Sequence, residues 1–321
     1  MPAAVSSTSA PDPDLIPPLY RAIVVEPTYR PARLLPALLF VLTAISTTLV
    51  GARLQYNFNL GRPPFATADD VLPFVWAWHQ PGVLGLGLPF SLSLMGILLA
   101  HELGHYGACR FYRIHATYPH FLPAPTLIGT LGAFIRIRSP FRSLRQLFDV
   151  GVAGPLAGFV ALLPLLWLGL HWSQPITYLP ADNAMEFGWP WLARGLLPTA
   201  LRGLPPQAIY LHPIARAAWI GMFATMLNLL PAGQLDGGHL LFAYFPRLHR
   251  WVSWLLVPAL LLAGARFWHG WYLWAAVVAS MRGGHPYVSR SQPLGTGRAW
   301  LALLALLLFV ATFSLTPFIL T

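Results

Sequence analysis

The run Ser91-Leu-Ser-Leu-Met-Gly-Ile-Leu-Leu-Ala100, closing on His101-Glu102-Leu103-Gly104-His105, carries two signals that a water-soluble helix does not combine. It lies in an apolar segment near 83–108, long enough to supply the ~20 mostly apolar residues that cross a bilayer. Its end is an H-E-x-x-H pattern. Two His four apart share one face of a helix, so both imidazoles reach one metal ion, and Glu102 stands beside them to take a proton from water. Eleven His and three Glu placed at random in 321 residues would produce this pattern only ~0.003 times. A charged Glu at the edge of so apolar a run costs a few kcal/mol unless it is partnered, and a divalent cation is such a partner. The competing reading is a helix end wetted by lipid headgroups.

The whole composition agrees with a membrane setting. The chain is 56% hydrophobic and 9% charged, against about a quarter charged in a soluble domain, which excludes a water-soluble enzyme. Seven segments approach spanning length, near 34–51, 83–108, 148–170, 212–231, 251–265, 267–281 and 299–319. The expected fold is therefore an all-α membrane protein, a polytopic bundle of about seven transmembrane helices. The fifth and sixth segments are short, so they form either a tight hairpin around Arg266 or one crossing fewer. Residues 1–33, rich in Pro, Ser and Ala, read as a flexible cytoplasmic tail before a membrane domain over 34–321 with its core at 83–240. That tail lacks the basic start and apolar stretch of a secretory signal, and Asp12 and Asp14 argue against an organelle transit peptide.

All twenty basic residues are Arg, against ten acidic residues, for a net charge of +10. They are scattered singly between apolar runs, the distribution of cytoplasmic membrane loops and not of a nucleic-acid surface. With the N-terminus cytoplasmic, fourteen Arg fall inside and six outside, so the seven-helix count agrees with the charge asymmetry. The expected location is a bacterial inner membrane, in that orientation. The stretches 52–82 and 171–213 then become external loops, with Trp76, Trp78, Trp172 and Trp191 suited to the interface. A single Cys109 excludes an intramolecular disulfide.

A metal reading of the two His requires a third protein ligand. The fourth segment supplies a candidate in Asn228-Leu-Leu-Pro-Ala-Gly-Gln-Leu-Asp236-Gly-Gly-His239. Pro231 and Gly233 break the helix, and Asp236 is expected in an unwound stretch ending in Gly237 and Gly238, tolerated at depth only where it lines a cavity. Segments two and four both run from outside to inside, with their polar motifs toward the cytoplasmic end, so the ligands can meet at one depth. His115, His120 and His239 have no second ligand at helical spacing and read as loop hydrogen-bonders. Between the motifs, Ile135 and Ile137 alternate with Arg136 and Arg138, as in a short strand or an amphipathic connector.

Taken together, HELGH and NLLPAGQLDGG resemble the site-2 protease family of intramembrane zinc metallopeptidases, the M50 type. Gly129-Thr-Leu-Gly-Ala-Phe-Ile-Arg-Ile-Arg-Ser-Pro140 and Phe148-Asp-Val-Gly-Val-Ala-Gly-Pro-Leu-Ala-Gly158 are similar to the linking segments of its bacterial and plastid branch, related to the gravitropism-deficient proteases. The resemblance covers most of 83–320 and leaves out the tail and the 171–213 loop. It implies a three-helix catalytic core, one Zn2+ held by His101, His105 and Asp236, Glu102 as general base and acid, and Asn228 steadying the substrate carbonyl or oxyanion. It also implies a membrane-inserted strand or hairpin, with Gly129, Thr130, Leu131, Gly132 and Ala133 beside an extended substrate. The implied activity is hydrolysis of peptide bonds in or near transmembrane segments of a membrane protein substrate, within the lipid bilayer. A PDZ domain between the motifs, carried by many relatives, is not expected here, because the intervening loop has only about 40 residues. Some relatives place Asn at the position of Gly158, for which close helix packing is the expectation. The rival class is a metal-binding membrane transporter or a catalytically silent scaffold. Either would keep the His and Asp ligands without needing Glu102 or the strand. The oligomeric state is not specified by the chain.

Overall fold

The computed structural model describes residues 33–64, 70, 73–176, 185–205, 208–281, 288 and 293–320. The expected tail of 1–33 lies outside them except for Arg33. The chain is an all-α membrane protein with small β pairings. Helix α1 runs Leu34–Asn59, eight residues beyond the expected end at 51, so 52–59 is helix and not loop. The charge at Arg53 does not end the helix because Asp70 meets it. Arg53 Nε donates to Asp70 Oδ1 at 2.7 Å, and Asn57 Nδ2 donates to the same oxygen at 2.6 Å. Beyond Leu60, Gly61 at φ 61° closes the helix in the left-handed conformation that glycine adopts without strain.

A short helix α2 (Phe74–His79) and a 3₁₀ turn at Pro81–Gly87 feed α3, Leu88–Phe111. Next come strands β1 (His120–Pro123) and β2 (Thr130–Phe134), paired antiparallel with His120 opposite Phe134 and Phe121 opposite Ala133. The ladder stops where Pro119 would face Ile135, since proline has no N–H to donate. Of the Ile/Arg alternation only Ile137 is bridged, to Ala116. Phe121 is buried and meets Phe40 of α1 edge-on at 5.2 Å.

Helix α4 spans Leu144–His171, with Ser143 accepting the Gln146 N–H as its cap. The expected external loop after it carries local structure: β3 (Gln174–Pro175), β4 (Met185–Phe187), the short α5 (Trp191–Gly195) and β5 (Ile209–Tyr210), with β3 paired to β5. Helix α6 (Pro213–Asn228) follows, then α7 (Asp236–Tyr244), α8 (Pro246–Arg266), α9 (Gly270–Ser280) and α10 (Thr296–Thr312). The last apolar segment does not stay helical to 319. Phe313 is already extended, and β6 (Phe318–Leu320) returns to pair with β4. Pro317 accounts for part of this, because it disfavours the helical region for the residue before it.

Among the described residues, four helical stretches are long and apolar enough to cross a membrane: α1, the continuous Pro81–Phe111, α4 and α8. Helices α9 and α10 are apolar but shorter. Outward-facing Leu38, Val41 and Ile45 on α1 and Leu255 and Leu262 on α8 are exposed, the surface a lipid-embedded multi-pass protein presents. Helix α6 differs. It buries 13 of its 16 residues, so it is apolar nearly all round because protein surrounds it. Its packing with α3 and α4, around Leu94, Ile97, Leu162, Leu166, Ala218 and Met222, forms the main core.

Candidate metal centre

His101 and His105 stand one turn apart near the end of α3, both buried, with their rings T-shaped at 4.9 Å. Their Nε2 atoms are 3.1 Å apart. Asp236 completes a triangle: its Oδ2 is 3.3 Å from His101 Nε2 and its Oδ1 is 3.3 Å from His105 Nε2. A tetrahedral zinc with bonds of about 2.0–2.1 Å requires ligand atoms about 3.3 Å from one another. The triangle has that size. Asp236 Oδ2 is moreover buried without a hydrogen-bond donor, a costly state for a carboxylate oxygen unless a cation meets it. Among the described residues these three form the one such cluster of His, Cys and acidic groups, and it is consistent with a single zinc ion.

The surrounding helices explain why the rings point inward. His105 Nδ1 lies 2.7 Å from the Val150 carbonyl of α4. An N–H there donates to that carbonyl and leaves the Nε2 lone pair for a metal. Beside Val150, Asp149 is gripped by Arg298 of α10, through Nε–Oδ1 at 2.7 Å and Nη2–Oδ2 at 2.6 Å, and accepts from the Tyr112 hydroxyl. Helix α4 can approach the rings because it offers glycine. A Cβ on Gly154 would sit 2.1 Å from His105 Nε2, and one on Gly158 would sit 3.1 Å from His101 Cβ. The close packing expected at Gly158 is therefore packing against a metal-side His.

Asp236 is the first residue of α7 and not part of an unwound stretch; the irregular backbone is Leu229–Leu235. Gly237 and Gly238 lie inside the helix. Their small size serves contact, because added Cβ atoms would stand 2.0 Å from the Leu229 carbonyl and 2.6 Å from that of Ala232. The preceding turn folds back onto the first turn of α7. Asn228 ends α6, with Nδ2 3.2 Å from His101 Nε2. Glu102 is buried and shares a cavity with Ile135, the residue that follows β2.

These groups line a cavity of about 200 Å³. Of the five residues expected beside a substrate, only Ala133 reaches it. Gly129 accepts from Ser46 Oγ of α1 at 2.6 Å, and Thr130 Oγ1 donates to the Leu122 carbonyl at 2.8 Å while accepting the Gly132 N–H at 3.0 Å. Leu131 is 71% exposed. The hairpin instead presents Phe134, Ile135 and Ile137 to the cavity, and Gln234 and His239 line it from the other motif. The Ile alternation was the available signal for Ile135 and Ile137. His120 Nδ1 turns to the Tyr118 carbonyl and His115 pairs its backbone with Ser139, so neither joins the metal cluster.

An H-E-x-x-H helix and a distant Asp converging inside an apolar bundle define the metallopeptidase type of centre. The chain matches Peptidase family M50 over residues 89–253, just over half its length, and belongs to that family. It is 32% identical over 212 residues to the probable zinc metalloprotease EGY1, chloroplastic, of Arabidopsis thaliana, covering 63% of this chain and 38% of that one. It is 34% identical over 163 residues to the Arabidopsis thaliana probable zinc metalloprotease EGY2, chloroplastic, covering 50% and 29%. With the probable zinc metalloprotease EGY3, chloroplastic, of Oryza sativa subsp. indica the identity is 32% over 281 residues, covering 78% and 44%. The chain spans less than half the length of each of these relatives.

Proposed function

We propose that this chain is an intramembrane zinc metalloprotease that hydrolyses peptide bonds in or near transmembrane segments of membrane proteins. The observation that carries the reading is the tetrahedral-sized triangle of His101, His105 and Asp236 with the buried Glu102 beside it, in a cavity that the end of β2 also lines. Zinc, when bound, polarises a carbonyl and brings the pKa of water from ~15.7 to about 7. Glu102 takes the proton of the attacking water and delivers it to the departing amine. Asn228, whose side-chain amide reaches the metal face, donates a hydrogen bond to the carbonyl oxygen as charge develops there. The hairpin holds the substrate. Among the described residues β2 pairs only with β1, and its other edge suits an extended chain, which recognises backbone by strand addition. In this reading Gly129, Thr130, Leu131 and Gly132 shape the hairpin, and Ala133 with its successors meets the substrate.

The finer architecture belongs to the same proposal. Helices α3, α4 and α6, with α7, make the three-helix core and its appended ligand, within a protease domain over 34–321; the grouping of 32–321 as one unit supports this. The count of about seven crossings rests on α6, α9 and α10 in addition to the four long spans. The Arg distribution supports a cytoplasmic N-terminus and a site toward the cytoplasmic side. The bacterial inner membrane is our assignment, whereas the matched relatives are named as chloroplastic.

A substrate helix hides its carbonyls in its own hydrogen bonds, so it must unwind before strand pairing. The purified chain in liposomes should cleave a single-pass substrate, lose cleavage on chelation, and regain it with one equivalent of zinc. A Gly in the scissile segment lowers the cost of unwinding by about 1 kcal/mol, or about fivefold in rate, and Pro by more. Cleavage of a poly-Leu segment as fast as its Gly and Pro variants would remove the unwinding step. Chelator-resistant cleavage would remove the metal.

A further inference from the structure

Helix α8 faces lipid along most of its surface, and its inward residues are few: His249, Val257, Leu260 and Gly264 are buried, with Ser253 half-buried between the first two. The spacing 249, 253, 257, 260, 264 is one helical stripe. Its lower part is apolar and packs on α9. Its upper part is polar, and a buried polar group at the start of an otherwise apolar stripe requires a partner.

Both polar residues have the same partner. His249 Nε2 lies 2.9 Å from the Gly233 carbonyl, so it carries the proton and donates; the Gly233 N–H in turn donates to Ser253 Oγ at 3.1 Å. One helix therefore satisfies both backbone groups of one residue in the irregular turn. That residue is the turn's left-handed position, φ +57°, and a Cβ there would stand 2.8 Å from Met281 Cβ. It sits between Asn228 and Asp236. Its carbonyl also lies against the first turn of α7, where a Cβ on Gly238 would approach it to 2.6 Å. The ring of His249 is itself held edge-on by Phe242 of α7 at 5.5 Å.

We infer that His249 and Ser253 are positioning residues for the metal centre. They clamp Gly233 so that Asp236 and Asn228 are delivered to His101 and His105 in fixed geometry, which makes α8 part of the catalytic unit. Neither touches the metal or the substrate. The inference rests on the zinc reading of the site, and the test separates the two.

The test is zinc affinity of the full chain in detergent, by chelator competition, together with the unfolding temperature of the metal-free protein. His249→Ala should weaken zinc about tenfold or more, the scale on which lost outer hydrogen bonds act on a metal site. Ser253→Ala should weaken it less. His249→Gln, whose amide nitrogen can reach the same carbonyl, should recover most of the loss, and the outward-facing Leu255→Ala should match wild type. Zinc affinity of His249→Ala equal to wild type, or losses in His249→Ala and His249→Gln that are equal and track the metal-free unfolding temperature, would overturn the clamp while leaving the zinc site standing. Failure of the wild type to bind zinc would overturn both.

Discussion

Glu102→Gln is expected to bind zinc as tightly as the wild type and to lose peptide cleavage by about 10²–10⁴-fold, the range general acid–base catalysis supplies. The change is nearly isosteric and touches none of the three ligand atoms, whose mutual distances of 3.1–3.3 Å are set by α3 and α7. The amide keeps the size of the carboxylate, so the cavity that Glu102 shares with Ile135 keeps its shape. What disappears is the proton acceptor. At 1.36 kcal/mol per decade the loss corresponds to about 3–5 kcal/mol of the barrier. Zinc content and cleavage of a single-pass substrate in liposomes, measured on the same preparation, decide the matter. Cleavage at the wild-type rate would exclude the role given to Glu102. A metal transporter or a silent scaffold makes the opposite prediction: its function needs His101, His105 and Asp236 but is indifferent to Glu102→Gln.

The ligands were legible in the sequence for different reasons. His101 and His105 declare themselves through local spacing, since two imidazoles four apart on a helix necessarily share a face. Asp236 is 131 positions from His105; it is a candidate because Pro231 and Gly233 break the helix before it, and the resemblance implies its ligand role. Arg counting, which sends segments two and four the same way, serves as a check that their polar ends lie at one depth. Less legible were features decided by contacts between distant residues. Gly237 and Gly238 suggest unwinding when read along the chain. In space they are small because the Leu229 and Ala232 carbonyls press on α7. Arg53 looks like a helix boundary until Asp70 is seen to neutralise it. The strand was placed on the Ile/Arg alternation, which reports two faces but not a pairing partner. Pro119, directly before β1, decides where the ladder ends, and only Ala133 of the five expected substrate contacts meets the cavity. That helix α6 is covered by protein and not by lipid is also not visible in its apolar sequence. The clamp from α8 was present as a pattern, two polar residues continuing an apolar stripe, but its target cannot be read without Gly233 in place.

The second large effect is expected where α4 meets the ligand rings. Alanine at three glycines should give three different results, ordered by what the new methyl encounters. At Gly154 the Cβ falls 2.1 Å from His105 Nε2 and 2.4 Å from Cε1. His105 cannot swing aside cheaply, because its Nδ1 is bonded to Val150 on the same helix that carries the methyl. Retreat of the ring breaks that bond and withdraws a ligand atom; retreat of the helix opens the core packed around Leu162 and Leu166. Gly154→Ala should therefore lower stability by about 1–3 kcal/mol, as overpacking does. Zinc affinity should fall by more than the 10–100-fold that loss of an outer hydrogen bond costs. At Gly158 the nearest atom is His101 Cβ at 3.1 Å, so a shift of a few tenths of an ångström accommodates the methyl, and Gly158→Ala should weaken zinc only slightly. Gly96 meets nothing within 4 Å on the same α3 helix, and Gly96→Ala should be neutral or stabilising by about 0.5–1 kcal/mol through helix propensity. Thermal unfolding in detergent and chelator competition read both quantities for all three. Zinc binding by Gly154→Ala at wild-type affinity would mean that His105 does not sit against α4 when it holds the metal, and the centre would have to be rebuilt around a different rotamer of that ring.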